Sequence, residues 1–242
     1  MMEMFDTSWS TYNINIIIKI MTYYQEQISK IKERGSKDFI NINSSENTIV
    51  LKLVDDSDET ANLLTEWREK FKNMFATYFD INKERTKNWI RDSIIQNPDR
   101  ILFIIYFNGK KVGAIGTALY DGKTNSAHID NLMKDPSCNY APLIPLVEKI
   151  YLKWMFDGLK LSKIQGLLFR DNFPTLNLHL SCGFQVVETF PIKKILSDDG
   201  WAWKKFDLKS ETNLAERYFN IIELFRENLL KNMGEIDSKI SF

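Results

Sequence analysis

The chain has 242 residues and carries 32 basic and 32 acidic side chains. That length suits one large domain with extensions, and the balanced charge excludes the basic excess by which nucleic-acid-binding proteins hold phosphates. Two cysteines without metal-ligand spacing and only two histidines exclude a zinc site, and two reduced thiols are the expectation for a cytoplasmic protein.

Apolar residues at Ile17, Ile20, Tyr24, Ile28 and Ile31 recur at helical spacing, so an amphipathic helix is expected over residues 14–31, closed by Arg34-Gly35-Ser36 with Gly35 as the C-terminal cap. The run Ile14 to Ile20 contains Asn15 and Lys19 and is far shorter than the ~20 apolar residues of a membrane span, and no segment reads as a signal peptide. Thr48 to Val54 alternates as a strand, and Ser57 or Asp58 can cap a helix reaching about Phe71. A second helix, Lys83 to Gln96, ends before Asn97-Pro98. Ile101 to Phe107 and Lys111 to Tyr120 form a hairpin through Asn108-Gly109, a dipeptide that tolerates positive φ at both central positions, and Asp121-Gly122 turns into the next strand, Ser126 to Met133.

After an irregular segment, Leu143 to Gly158 repeats Leu143, Leu146, Val147, Ile150, Tyr151 and Trp154 on one stripe and is expected as a helix, followed by a strand at Leu161 to Phe169. Asn172 then opens a short helix that ends at Cys182, and Gly183-Phe184 begins a strand. Ser197 to Gly200 leads to a last strand, Trp201 to Leu208. Leu214, Tyr218, Ile221, Ile222, Phe225 and Leu229 read as a terminal amphipathic helix. Lys193-Lys194 and Lys204-Lys205 read as solvated faces. The expected organisation is an N-terminal helical extension over 1–45, one domain over 46–208 and a C-terminal helix over 209–242, with self-association through the terminal helices as the rival to their packing on the domain.

The stretch DNFPTLNLHLSCGF, Asp171 to Phe184, resembles the Asn-x-x-small-x-x-Leu-Tyr-x-x-x-Gly-Phe signature of the GCN5-related N-acetyltransferases. The order of strand, loop, helix, strand and Asn172 helix is similar to the acetyl-CoA-binding half of that family, and the resemblance spans about Asn47 to Leu208. Ile129-Asp130-Asn131, Trp154-x-Phe156 and LLTEWREKF resemble the subgroup that acts on nucleotide-linked amino sugars. The resemblance implies an α/β acyl-CoA N-acyltransferase fold: a mixed, mostly antiparallel sheet with helices on both faces, with extra terminal helices. It implies acetyl-CoA as the acyl donor, no metal, and a small amine acceptor, with an amino sugar on a nucleotide carrier as the favoured class, a homodimer as the candidate assembly and no nucleic-acid or membrane partner.

Candidate residues follow from the same resemblance. Asp130, a carboxylate in an otherwise apolar strand, is expected as general base and acceptor contact; the alternative is an Asp that bonds loop amides. His179 stands where the family has the Tyr that reprotonates the departing thiolate, with a merely packed or exposed helix histidine as the alternative. Backbone around Leu132 or Met133 would bind the thioester oxygen. Asn131, Lys134, Asn139, Tyr140, Ala141, Leu143 and Asn172 complete the expected acetyl-CoA contacts, Asn172 being also a natural helix cap. Trp67 and Arg68 would meet the acceptor, Arg68 through a phosphate or carboxylate. The departure lies at Lys134 to Pro142, KDPSCNYAP, which lacks the glycines whose bare amides hold the pyrophosphate elsewhere in the family. That loss, with the missing Tyr, supports a rival reading: a non-catalytic acyl-CoA-binding or assembly module.

Overall fold

A computed structural model describes residues 23–35, 37–44, 46–79, 81–198, 200–206, 215–234 and 239–241, without the side chain of residue 79. A helix covers residues 23–33 (α1); residues 14–22 of the expected helix lie outside the described residues. Then come β1 (Asp38–Asn43), β2 (Thr48–Leu53), α2 (Asp58–Lys70), β3 (Thr77–Phe79), α3 (Lys83–Asn88), which continues as a π-helix over Trp89–Ile95, β4 (Ile101–Phe107), β5 (Lys110–Asp121) and β6 (Ser126–Lys134). The second half holds α4 (Leu143–Asp157), β7 (Lys163–Phe169), α5 (Phe173–Ser181), β8 (Gln185–Ser197), β9 (Gly200–Lys205), β10 (Arg217–Leu224), α6 (Arg226–Asn232) and β11 (Lys239–Ser241).

The strands form one sheet in the order β11-β1-β2-β4-β5-β6-β7-β10-β8-β9-β3. Every pair is antiparallel except β6 with β7. That parallel step needs a crossover, and α4 provides it. Strand and turn chemistry behave as the residues dictate: the β4–β5 turn places Asn108 at φ 48 and Gly109 at φ 80, and Gly35 closes α1 at φ 66. Ser57 caps α2 by accepting from the Thr60 N–H.

Each face of the sheet buries a separate core. On one side Tyr24 and Ile28 of α1 and Val147, Ile150, Tyr151 and Trp154 of α4 cover Phe103, Ile105, Ile115, Ala127, Ile129 and Ile164. On the other, Leu64 and Trp67 of α2 with Ile90 and Ile94 of the π-helix cover Leu102, Ile104, Ala114 and Met133. This second cover ends at β6. Beyond it a small cluster of Phe169, Ile192 and Phe219, with the half-buried Trp203 packed against it, forms a third core.

Two expectations are corrected. Residues 217–224 are a strand, not a helix, and β10 pairs with β7 over Phe219↔Phe169 to Leu224↔Ile164 and with β8 on its other edge. The burial of this strand alternates, with Ile222 and Leu224 buried and Ile221 and Glu223 only half-buried, but apolar residues stand at Ile221 and Ile222 alike and blur the period-2 signature, so Tyr218, Ile221, Ile222 and Phe225 satisfied a helical template by spacing alone. Only α6 keeps the terminal helix. The N-terminal extension likewise is not purely helical, since β1 pairs with β2 from Asp38↔Lys52 to Asn43↔Thr48. β1, β10 and β11 thus bring described residues from beyond the expected boundaries at 45 and 209 into the same sheet.

Candidate active site

β6 and β7 pair only over Ser126↔Lys163, Ala127↔Ile164 and His128↔Gln165. β6 nevertheless continues to Lys134 and β7 to Phe169. From Ile129 and Gly166 onward the strands part, and the facing backbone edges of this wedge have no ladder partners among the described residues. On its other edge β6 carries a bulge. Gly116 opposes Asp130 and Ala114 opposes Met133, so two residues of β6 stand against one of β5, and Asn131 absorbs the extra length at φ 52. The bulge switches the alternation: Ala127 and Ile129 join the α1/α4 core before it, whereas Met133 joins the α2 core after it. Ser126, His128 and Asp130 therefore lie on the α2 face, where the helical cover stops.

Asp130 accepts from Arg100 Nη2 at 2.7 Å and from Asn131 Nδ2 at 2.7 Å. Arg68 is close enough to feel both charges. Burial pulls its guanidinium below the ordinary value, with Asp130 opposing and Arg100 reinforcing the effect. The Arg68 guanidinium stacks on Phe75, 4.6 Å from the ring centroid, and reaches over Trp89 at 5.9 Å. With Leu64, Thr86, Trp89, Asn131 and Met133 it lines a crevice opening beside the bulge. Arg68, Asp130 and Asn131 are thus brought together. Trp67 is not among them: its ring is wholly buried in the α2 core. Its Nε1 donates to Asp135 Oδ2 at 3.2 Å, which ties α2 to the loop after β6 and leaves no face for an acceptor.

The loop Lys134–Pro142 folds on local bonds. Cys138 N–H donates to the Asp135 carbonyl at 3.0 Å, Ser137 N–H to Asp135 Oδ1 at 2.8 Å, and the Tyr140 ring stacks on Phe107 with centroids 4.8 Å apart. No described hydrogen bond uses the N–H of Asn139, Tyr140, Ala141 or Ile144. α2, α3 and α5 have side-chain caps at Ser57, Asn82 and Asn172, whereas α4 starts at Pro142 with no side-chain cap and no acidic residue in its first turn. In its first turn Leu143 N–H donates to the Tyr140 carbonyl at 3.4 Å, Leu146 N–H to the Pro142 carbonyl at 3.1 Å, and Pro145 has no N–H, so Ile144 keeps the open donor there among the described residues. Of the residues expected here, Leu143 offers only backbone, because its side chain is completely buried, and Met133 is nearly so; Leu132 packs partly against the first core.

At α5, Asn172 Oδ1 accepts from the Thr175 N–H at 3.4 Å, leaving its Nδ2 without a described partner. His179 departs from expectation. It is 5% exposed, and its Nδ1 donates to Oε1 of the fully buried Glu148 of α4 at 2.5 Å, with the ring tilted against Phe184. A histidine held inward on a buried carboxylate is not presented to a thiolate in the wedge, because turning outward would strip Glu148 of its partner.

The other histidine was missed. His128 lies on β6 two residues before Asp130, on the same face, in the last residue pair before the wedge opens. It is half-buried, and its ring makes no hydrogen bond among the described residues. Burial, with Lys163 helping and Asp130 opposing, lowers its pKa below the ordinary imidazole value. The one sequence signal was a polar residue alternating with Ala127 and Ile129, which marks the open face of a half-covered strand.

No family model matches the sequence, and no curated protein matches it. Solved structures do. A spermidine N-acetyltransferase from Vibrio cholerae, in complex with CoA and spermine, superposes with a TM-score of 0.59 at 12% identity, over 75% of this chain and 98% of that one. A dodecameric form of spermidine N-acetyltransferase from the same organism gives 0.56 at 12% identity, over 77% and 98%. A probable acetyltransferase of the GNAT family from Chromobacterium violaceum gives 0.56 at 12% identity, over 78% and 87%. The shared feature is the fold, an α/β acyltransferase fold of the GNAT type, and nothing in the likeness singles out the nucleotide-sugar subgroup.

Proposed function

We propose that this chain, having that fold and an open β6–β7 wedge, transfers an acetyl group from acetyl-CoA to a primary amine. The observation that carries the reading is the wedge itself, with unpaired β6 and β7 edges leading to the uncapped start of α4. Asn139, Tyr140, Ala141 and Ile144 supply main-chain donors, and the helix dipole favours an anion there, so the residues present fit a pyrophosphate without the usual glycines. Asn172 Nδ2 is available to a pantetheine amide. Acetyl-CoA supplies the activated thioester; the protein positions it, and positioning alone is worth about 7–11 kcal/mol. Leu132, left without a register partner by the bulge, is the donor assigned to the carbonyl oxygen. Asp130 orients the acceptor's ammonium. With His179 sealed, the sulfur takes its proton from the acceptor nitrogen as the tetrahedral intermediate collapses.

The acceptor class follows from charge. Around the open face Asp130, Glu223, Glu188 and Asp171 already pair with Arg100, Lys163, Lys205 and Arg217. A polyamine would have to displace several of these cations, whereas an uncharged or zwitterionic monoamine would not. This supports an amino sugar, with the phosphate of a nucleotide carrier near Arg68, over a polycation. The second reading, an acyl-CoA-binding module without turnover, draws on the sealed His179. Calorimetry with acetyl-CoA, followed by thiol release across a panel of amino sugars, nucleotide-linked amino sugars and spermidine, separates them. Binding with turnover on a monoamine is expected. Binding without turnover on any amine selects the module, and no binding at millimolar acetyl-CoA rejects both.

A further inference from the structure

The geometry points to His128, rather than Asp130, as the group that takes the proton from the acceptor's ammonium, an inference that rests on the acetyltransferase reading above. Asp130 is poorly placed for that task, because its Oδ2 already receives Arg100 and Asn131, and protonating it would break an ion pair at 2.7 Å. His128 has the opposite character. It shares the face of β6 with Asp130 and Ser126, and its ring nitrogens have no described partner. It stands at the vertex where β6 and β7 separate, on the closed side of the wedge from Leu132.

The groups around it are accounted for. Asp130 and Ser126 flank it on β6, and Gln165 is its register partner on β7. Ser126 Oγ donates to Gln165 Oε1 at 3.2 Å, and Gln165 Nε2 donates to Glu223 Oε1 of β10 at 2.9 Å. Lys163 is occupied by the same Glu223 oxygen at 2.6 Å. These contacts exclude Lys163 and Glu223 as competing bases and leave the imidazole as the free one. Its half-buried setting favours the neutral ring, the form that can accept a proton at neutral pH.

The step balances. An N–H bond of the bound ammonium breaks as its proton moves to a ring nitrogen, giving imidazolium and a neutral amine. The amine nitrogen then bonds the thioester carbon, the C–S bond breaks, and the second nitrogen proton leaves with the sulfur. His128 returns its proton to solvent. Asp130 keeps its charge throughout and holds the ammonium against the ring.

The test is the pH dependence of kcat/KM for the amine. Wild type should show a plateau from the His128 pKa up to the pKa of the amine. His128→Gln should fall about 100- to 10,000-fold at pH 7 and lose the plateau, climbing with the free-amine fraction over the whole range. Asp130→Asn should keep the plateau and raise KM for the amine. Carbon-bound proton resonances of the two histidines in wild type give a second measurement, assigned through the variant: His128 should titrate below the ordinary range, and its resonance should shift on adding CoA with the amine product, whereas that of His179 should be unmoved by those ligands. A retained plateau in His128→Gln, or a His128 resonance indifferent to those ligands, overturns the assignment. Failure of wild type to bind CoA instead brings down the acetyltransferase reading itself.

Discussion

His179 and Glu148 meet between α5 and α4 at positions where a lone charge or a lone imidazole would be costly. Each is tolerated because of the other, so removing one leaves the partner stranded. His179→Phe should therefore lose about 3–5 kcal/mol of unfolding free energy, as for other broken buried pairs. The double variant Glu148→Leu with His179→Phe should recover most of it. Urea unfolding of the three proteins measures this, and acetyl-CoA affinity of the folded fraction should be unchanged. A thiolate acid would behave differently, costing turnover while sparing stability. Cys182, completely buried with its thiol pushed up to about 12 by burial and by Glu148, belongs to the same interior and is not reactive.

At the scale of elements, the π-helix after α3 shows how distant segments complete each other. Its Gln96 N–H reaches back five residues to Arg91, and the carbonyls it leaves exposed at its end are taken by Lys32 of α1, whose Nζ donates to Ile94 O at 2.7 Å and to Asn97 O. A cation at a helix C-terminus is favourable. Burial nevertheless outweighs the help of Asp99 and lowers Lys32 to about 8. Between that value and the unfolded one the unfolded chain binds the proton more tightly, so this lysine makes stability rise as pH increases from about 8 towards 10. Urea midpoints at pH 8 and pH 9 should show the rise, and Lys32→Met should flatten it. At higher pH the opposite sign sets in, from about pH 9 through Cys182 and from about pH 10 through Tyr120, because each is raised to about 12 by burial and stays protonated in the folded chain after the unfolded chain has lost its proton.

For the whole molecule, the position of β10 decides what can be removed. A chain ending at residue 208 would lack the strand that bridges β7 and β8, and with it Ile222 and Leu224, both completely buried in the main core, and would leave β7 without the partners of Gly166 and Ile164. Such a truncation should abolish cooperative unfolding in circular dichroism, whereas an appended helix could be cut away with the domain intact. What was legible in the sequence were the segments whose signals are local: the β4–β5 hairpin through Asn108-Gly109, the Ser57 cap of α2, the apolar stripe of α4 and the Asn172 opening of α5. The order of those elements carried the fold class. Strand partners, and which face of each strand meets water, depend on contacts between residues far apart in the chain, and there local pattern misled or stayed silent. Tyr218 to Phe225 matched a helix until β7 and β8 closed on both edges. His179 and His128 look alike in sequence; packing against Glu148 sealed one, and the splitting of β6 from β7 left the other open.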